Sequence, residues 1–181
     1  MADIPAKPDR AMPDAWRELR AATPARIGLG RSGDTMPLRA VLDFQLAHAQ
    51  ARDAVHATLD VEALQRALAP RPTRVVTSLA PDRLTYLKRP DLGRRLDADD
   101  GIALQAEAAP CDCVFVLADG LSATATAAHA VPLLEATLPL LEGLAIAPII
   151  LATQARVALG DAIGAALGAH ICVMLIGERP G

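Results

Sequence analysis

Three apolar runs in the last third of the chain set its organisation: CDCVFVLADGLS from Cys111, AIAPIILATQ from Ala145 and HICVMLIGERPG from His170. Helical patterns separate them. Apolar runs of this length, bounded by turn residues, predict buried strands, and strands alternating with helices predict a parallel sheet. Two of the runs end in polar, Gly-bearing turns, ADGLS at Ala118–Ser122 and GERPG at Gly177–Gly181. In an open α/β sheet, ligands bind outside the carboxyl ends of the strands. The functional edge is therefore expected at these two turns.

The residues upstream read as helical support. Asp14 is placed to cap AWRELRAA, whose Trp16, Leu19 and Arg20 share a face, with Pro24 just beyond. A Gly-rich loop, ARIGLGRSGDTM, follows. Asp34 or Thr35 then caps a helix with Pro37 in its first turn. Leu38, Val41, Leu42, Leu46 and Ala49 form an i, i+3, i+4 stripe on that helix, which predicts one packed face. VEALQRALA starts at an Asp60 cap and stops at Pro70. The expected organisation is a disordered stretch at 1–13, a helical part at 14–70 and a sheet domain at 71–181.

Within 71–181 the first forty residues give weaker signals. RVVTSLA reads as a short strand, DRLTYLKRPDLGRRL as charged and turn-rich, and DADDGIALQAEAA as a helix. After DGLS, Leu133, Leu134, Leu138 and Leu141 mark a helix face, which Pro132 and Pro139 divide or kink. Pro148 has no N–H for a ladder, so AIAPIIL belongs at a sheet edge or is bulged near its start. Asp161 is predicted to cap AIGAAL and Gly168 to close it. There is no internal repeat.

Composition narrows the partners. The formal net charge is −3 and the pI about 5.8, which gives no footing for nucleic acid or an acidic membrane surface. Apolar residues make up 52% but aromatics only 2%, so Ala, Leu, Val and Ile must build the core. Pro, Gly and polar residues interrupt every apolar stretch before it reaches a membrane span. MADIPAKPDRAMPD has no apolar segment of the secretory kind. These features place the chain in the cytoplasm. Cys111 and Cys113 are two apart on a strand and Cys172 lies in another, a spacing that suits buried reduced thiols better than a disulfide or a metal site.

Several constellations invite a chemical reading. Gly28-Leu29-Gly30-Arg31-Ser32-Gly33 matches GxGxxG, the phosphate-binding fingerprint of NAD(P) oxidoreductases, but that motif needs a buried strand before it. AATPARI offers none, and Asp53, at roughly the separation of the ribose-binding acid, lies on the helical pattern. His48, His56, His129 and His170 show no metal or triad spacing. Lys88, Arg89, Arg94 and Arg95 read as a solvated face around a Pro90–Gly93 turn, with a partner or phosphate contact as the alternative. Asp119 and Glu178 are the acids at strand ends, suited to accept from hydroxyl or amide groups of a ligand. The alternatives are a helix cap for Asp119 and a surface ion pair for Glu178.

TPARIGLGRSGDTMPLRAVLDFQLAHAQARDAVH, YLKRPDLGRRL, VLADGLSATA and GDAIGAALGAHICVMLIGERPG, taken in order, resemble the small subunit of ethanolamine ammonia-lyase. The resemblance runs from about Trp16 to Gly181. It implies a Rossmann-like parallel sheet flanked by helices, with an N-terminal helical part. It further implies an adenosylcobalamin-dependent carbon–nitrogen lyase that converts ethanolamine to acetaldehyde and ammonia. In that family the large subunit carries the catalytic residues, and several copies of each subunit form a hetero-oligomer. Some members are housed in bacterial microcompartments. The small subunit holds the cobalamin, and the family's contacts fall here on Val157, in QARVALGD, and Glu178, in GERPG. A third family contact, a cysteine, lies beyond Gly181, so the sheet domain is expected to be truncated. A folded remnant without cofactor is the corresponding alternative.

Overall fold

The structure, a computed structural model, describes residues 14–179; the stretch 1–13 and the last two residues of GERPG lie outside the described residues. Described residues up to Leu46 form one compact unit and those from Ala47 a second.

In the first unit, α1 (Arg17–Ala22) is not capped by Asp14: Trp16 is its N-cap, without a side-chain cap, and Asp14 instead closes the turn just upstream, accepting from the Trp16 N–H at 3.1 Å. Arg20 pairs with Asp14 and also donates to the Gly28 carbonyl at 2.7 Å. The GLGRSG loop turns back on itself. Ser32 and Thr35 exchange backbone hydrogen bonds at 2.8 and 3.2 Å, and Gly28, Gly30 and Gly33 all have positive φ. At Gly28 a Cβ would lie 2.2 Å from Trp16 Cγ, so the glycine there allows the indole to pack on the backbone. No strand of the sheet precedes this loop among the described residues, and these glycines serve the turn itself.

The next helix, α2 (Leu38–His56), follows directly on Pro37. Its predicted stripe does not pack as expected. Leu38, Leu42 and Leu46 are 72%, 53% and 60% exposed, and no residue of α2 is buried. The six-residue α1 leaves even its own Leu19 half-exposed, so among the described residues this unit offers no apolar surface broad enough to cover the stripe.

The second unit holds the sheet. After α3 (Val61–Leu68), capped by Asp60 on the Ala63 amide at 2.9 Å, come β1 (Thr73–Thr77), α4 (Arg83–Lys88) and α5 (Ala98–Ala106). Then follow β2 (Cys113–Ala118), α6 (Ala123–Thr137), β3 (Ile149–Thr153), α7 (Leu159–Leu167) and β4 (Ile171–Ile176). The four strands are parallel in the order β1-β3-β2-β4. This is the expected α/β class, a parallel sheet covered by helices on both faces.

Alternation along the strands divides the core. Val76, Val114, Val116, Ile150 and Ala152 face α5 and α7, meeting Leu104, Leu159, Ile163 and Leu167. Phe115, Leu117, Ile149 and Leu151 face α3 and α6, meeting Leu64, Leu68, Ala130 and Leu134. The crossings β1→β2 and β3→β4 move one way along the sheet with helices on the first face. The crossing β2→β3 moves back with α6 on the second, so all three share one hand. On α7, Gly160 and Gly164 face β4 so closely that a Cβ would come within 2.8 Å of Met174 and 3.2 Å of Cys172.

Proline and cap positions refine the sequence reading. α6 runs through Pro132 and breaks before Pro139, where a 3-10 turn, Leu138–Leu141, takes over, giving the two pieces expected. The strand after Pro148 is central, not at an edge. Its ladder begins at Ile149, one residue past the proline, so no donor is lost. The alternative of a bulged start holds. Ile146 pairs with Cys113 while Ile150 pairs with Val116, so one extra residue, beside Pro148, is accommodated. Asp161 is not the cap of α7. That helix begins two residues earlier, leaving Asp161 in its first turn, where its charge suits the helix dipole. Gly168 does close it, with φ 66° and its amide donating back to Ala165.

Candidate functional site

Strand connections set where a site can form. The chain leaves β3 toward one face of the sheet and leaves its neighbour β2 toward the other, so the crevice of the sheet opens between their carboxyl ends. Asp119, the first residue past β2, sits at this point and is 2% exposed. Its Oδ1 accepts from the Ala155 amide at 3.0 Å, and its Oδ2 from the Gln154 amide at 2.8 Å and Arg83 Nη1 at 3.3 Å. Burial pushes the carboxyl above the ordinary Asp value, against the pull of the two amides and of Arg83.

Asp119 is thus not the cap of α6, and both its oxygens are engaged by the protein's own groups. Ser122 caps α6, its Oγ accepting from the Ala125 amide at 3.3 Å, while Thr126 Oγ1 donates to the Ala118 carbonyl at 2.8 Å. Asp119 instead fixes the loop after β3. Gln154 there has φ 53°, the left-handed region that a non-Gly residue keeps only when its surroundings enforce it.

Beside Asp119 lies Tyr86, fully buried on α4. The guanidinium carbons of Arg83 and Arg156 lie 4.7 and 4.2 Å from its ring centroid. Its hydroxyl donates to the Ala155 carbonyl at 3.1 Å. Burial pushes the phenol up to about 12 despite the nearby Arg156, with smaller upward contributions from Asp119 and Glu178. Polar capacity is left over here. Arg83 Nη2, Arg156 Nε and Gln154 Oε1 are buried without a hydrogen-bond partner among the described residues. These leave two guanidinium donors and one amide acceptor around Tyr86 and the 154–156 loop.

The turn after β4 closes against the turn after β2. The Gly177 carbonyl accepts from the Ser122 amide at 2.8 Å. A Cβ on Gly177 would lie 2.1 Å from the Ser122 oxygen, and one on Gly120, where φ is 52°, would lie 2.5 Å from the Gly177 oxygen. Only glycines permit the two backbones to touch.

Both residues singled out by the family resemblance lie on this carboxyl edge. Val157, between β3 and α7, is 59% exposed, and Glu178, two residues past β4, is also exposed. β2 runs between β3 and β4, so the strand ends that carry them are about 10 Å apart. The other polar candidates are elsewhere. His48 and His56 are on α2, His129 on α6 and His170 before β4; no group of three metal-ligating side chains converges among the described residues. Arg89 clamps the Pro90–Gly93 turn, its guanidinium donating to both Asp91 oxygens at 2.9 and 2.7 Å. Cys111, Cys113 and Cys172 are free thiols.

Sequence reasoning passed over Arg83, Tyr86 and Arg156. The signal for α4 was present in Asp82, whose Oδ1 accepts from the Thr85 amide at 2.7 Å as a helix cap. Its six residues are too few to show a period.

Comparison with known proteins settles the lineage. The family model described as ethanolamine ammonia-lyase light chain (EutC) matches residues 13–181. The chain belongs to this family. It is 54% identical over 170 residues to the ethanolamine ammonia-lyase small subunit of Bradyrhizobium diazoefficiens, covering 91% of this chain and 65% of that protein. The small subunit of Xanthomonas campestris pv. campestris is 50% identical, with 93% and 65% covered. That of Pseudomonas aeruginosa is 48% identical, with 96% and 67% covered. The chain spans about 65% of the length of the first of these light-chain relatives.

Proposed function

We propose that this chain acts as the small subunit of an adenosylcobalamin-dependent ethanolamine ammonia-lyase, holding the cofactor where it meets a catalytic large subunit. The observation that carries this reading is the makeup of the carboxyl edge. It presents an exposed apolar residue, Val157, and an exposed acceptor, Glu178, while its one buried acid, Asp119, is consumed by the protein's own amides and Arg83. That is an edge for gripping a ligand, with bond-making groups supplied by another chain.

The edge fits the cofactor's periphery. Glu178 would offer an acceptor to amide or hydroxyl donors of the cofactor, and Val157 would offer an apolar contact. The leftover donors of Arg83 and Arg156 and the acceptor of Gln154 match carboxamide side chains. When bound, adenosylcobalamin supplies the radical step through homolysis of its cobalt–carbon bond. This chain's part is to orient the group and to help keep water from it. The substrate is ethanolamine, the products acetaldehyde and ammonia, and the assembly a hetero-oligomer in the cytoplasm or a microcompartment.

The test is an absorbance titration of adenosylcobalamin into the chain assembled with a large subunit, beside the same assembly carrying Glu178→Ala. Loss of a charge-assisted hydrogen bond should weaken binding by roughly tenfold or more. Unchanged affinity removes Glu178 from the site, and no binding by the unmodified assembly overturns the reading.

A further inference from the structure

The loop that leads to Val157 is held at every backbone polar group. The Gln154 amide donates to Asp119 and its carbonyl accepts from Ser78 Oγ at 2.6 Å. The Ala155 amide donates to Asp119 and its carbonyl accepts from the Tyr86 hydroxyl. The Arg156 amide donates to the Gly93 carbonyl at 2.8 Å, and its carbonyl accepts from the Leu159 amide at 2.9 Å. Connecting segments ordinarily leave such groups to water. Here the residues just past β1 and β2, together with α4 and the Pro90–Gly93 turn, all reach in.

Side-chain packing makes the same point. Arg156 lies over the Tyr86 ring and its Nη2 donates to the Tyr86 carbonyl at 3.3 Å. A Cβ on Gly93 would fall 2.9 Å from Arg156 Cγ and 3.0 Å from the Tyr86 ring, so no side chain fits between them. Yet the next residue, Val157, is 59% exposed. A segment this constrained, ending on an exposed apolar residue at the crevice of the sheet, is shaped for contact. We infer that Tyr86 and Ser78 are positioning residues for the cofactor: they hold the 154–156 backbone so that Val157 meets the ligand in one fixed place. The inference rests on the proposed cofactor role of Val157.

The test uses the chain assembled with its large subunit, carrying Tyr86→Phe or Ser78→Ala. Tyr86→Phe keeps the ring beneath Arg156 and removes only the bond to the Ala155 carbonyl. Two quantities are read on folded assembly: amide hydrogen exchange over residues 154–158 and the affinity for adenosylcobalamin by absorbance. Exchange should rise locally, and affinity should fall roughly threefold to tenfold for Tyr86→Phe, in line with one lost hydrogen bond, and at least as far for Ser78→Ala, whose hydroxyl also accepts from the Ala80 amide at 3.2 Å. Faster exchange with unchanged affinity overturns the positioning role, because a merely structural tie would behave that way. Unchanged exchange overturns it whatever the affinity does. Val157→Asp, measured alongside, separates the two levels. If it binds as well as the unmodified assembly, the contact at Val157 is what fails.

Discussion

The carboxylate of Asp119 and the amide of Ala155, 36 residues apart in the chain, meet at 3.0 Å across the ends of β2 and β3. Replacing Asp119 with Ala would strand two amides and leave the Arg83 guanidinium, whose side chain is only 10% exposed, without its counter-charge. Breaking a buried pair from one side costs about 3–5 kcal/mol. Urea unfolding of Asp119→Ala should show a loss of that order. A loss under 1 kcal/mol would mean the loop keeps its shape without the carboxylate.

Glycine positions give a paired prediction of opposite sign. At Gly177 an added methyl has nowhere to go short of the Ser122 backbone, so Gly177→Ala should destabilise by about 1–3 kcal/mol as the two turns part. Gly101 lies inside α5, and its nearest neighbour to a new Cβ is Leu96 at an ordinary 3.6 Å. Gly101→Ala should therefore stabilise by about 0.5–1 kcal/mol, since alanine gives up less backbone freedom on entering a helix. Thermal unfolding of both variants checks the pair, and a shift in the same direction for both would contradict it.

Cys172 should be a slow thiol. Burial disfavours its charged form and pushes the pKa from 9.0 up to about 11. The thiolate is the reacting species, so at pH 8 only about a thousandth of Cys172 is available, about a hundredfold less than for an unshifted thiol. The sign for stability follows. The folded state keeps the proton longer, so this contribution is intact below the ordinary thiol value and is lost as pH rises through about 11. Iodoacetamide labelling followed by mass spectrometry from pH 7 to 10 should show Cys172 rates rising about tenfold per unit. Labelling at the rate of an exposed cysteine at pH 8 would contradict the partly buried, desolvated position.

Strands and helix caps were legible because their causes are local. CVFVLA, IILAT and ICVMLI are continuous apolar runs, as strands covered on both faces must be. Asp60 and Gly168 act on residues within a turn of themselves. Asp119 was legible as a strand-end acid but not in its partners, because Gln154, Ala155 and Arg83 reach it through the strand order, which no short stretch encodes. Pro148 was ambiguous for the same reason: the sequence admitted an edge or a bulge, and only the sheet order decides. The α2 stripe misled because a period of 3.6 marks an apolar face without guaranteeing that a neighbour covers it. Tyr86 was hidden in a short charged segment whose capping acid was the one available sign.

The fixed backbone from Gln154 to Arg156 also has a thermodynamic consequence. Ordering a residue's backbone costs about 1–2 kcal/mol of conformational entropy. In a free loop that cost falls on every association event. Here it falls once, when the chain folds, because Asp119, Ser78, Tyr86 and Gly93 have already chosen the conformation. A cofactor bound at Val157, as proposed above, would meet a surface whose disorder was spent beforehand, and its heat of binding would not have to offset the freezing of this segment.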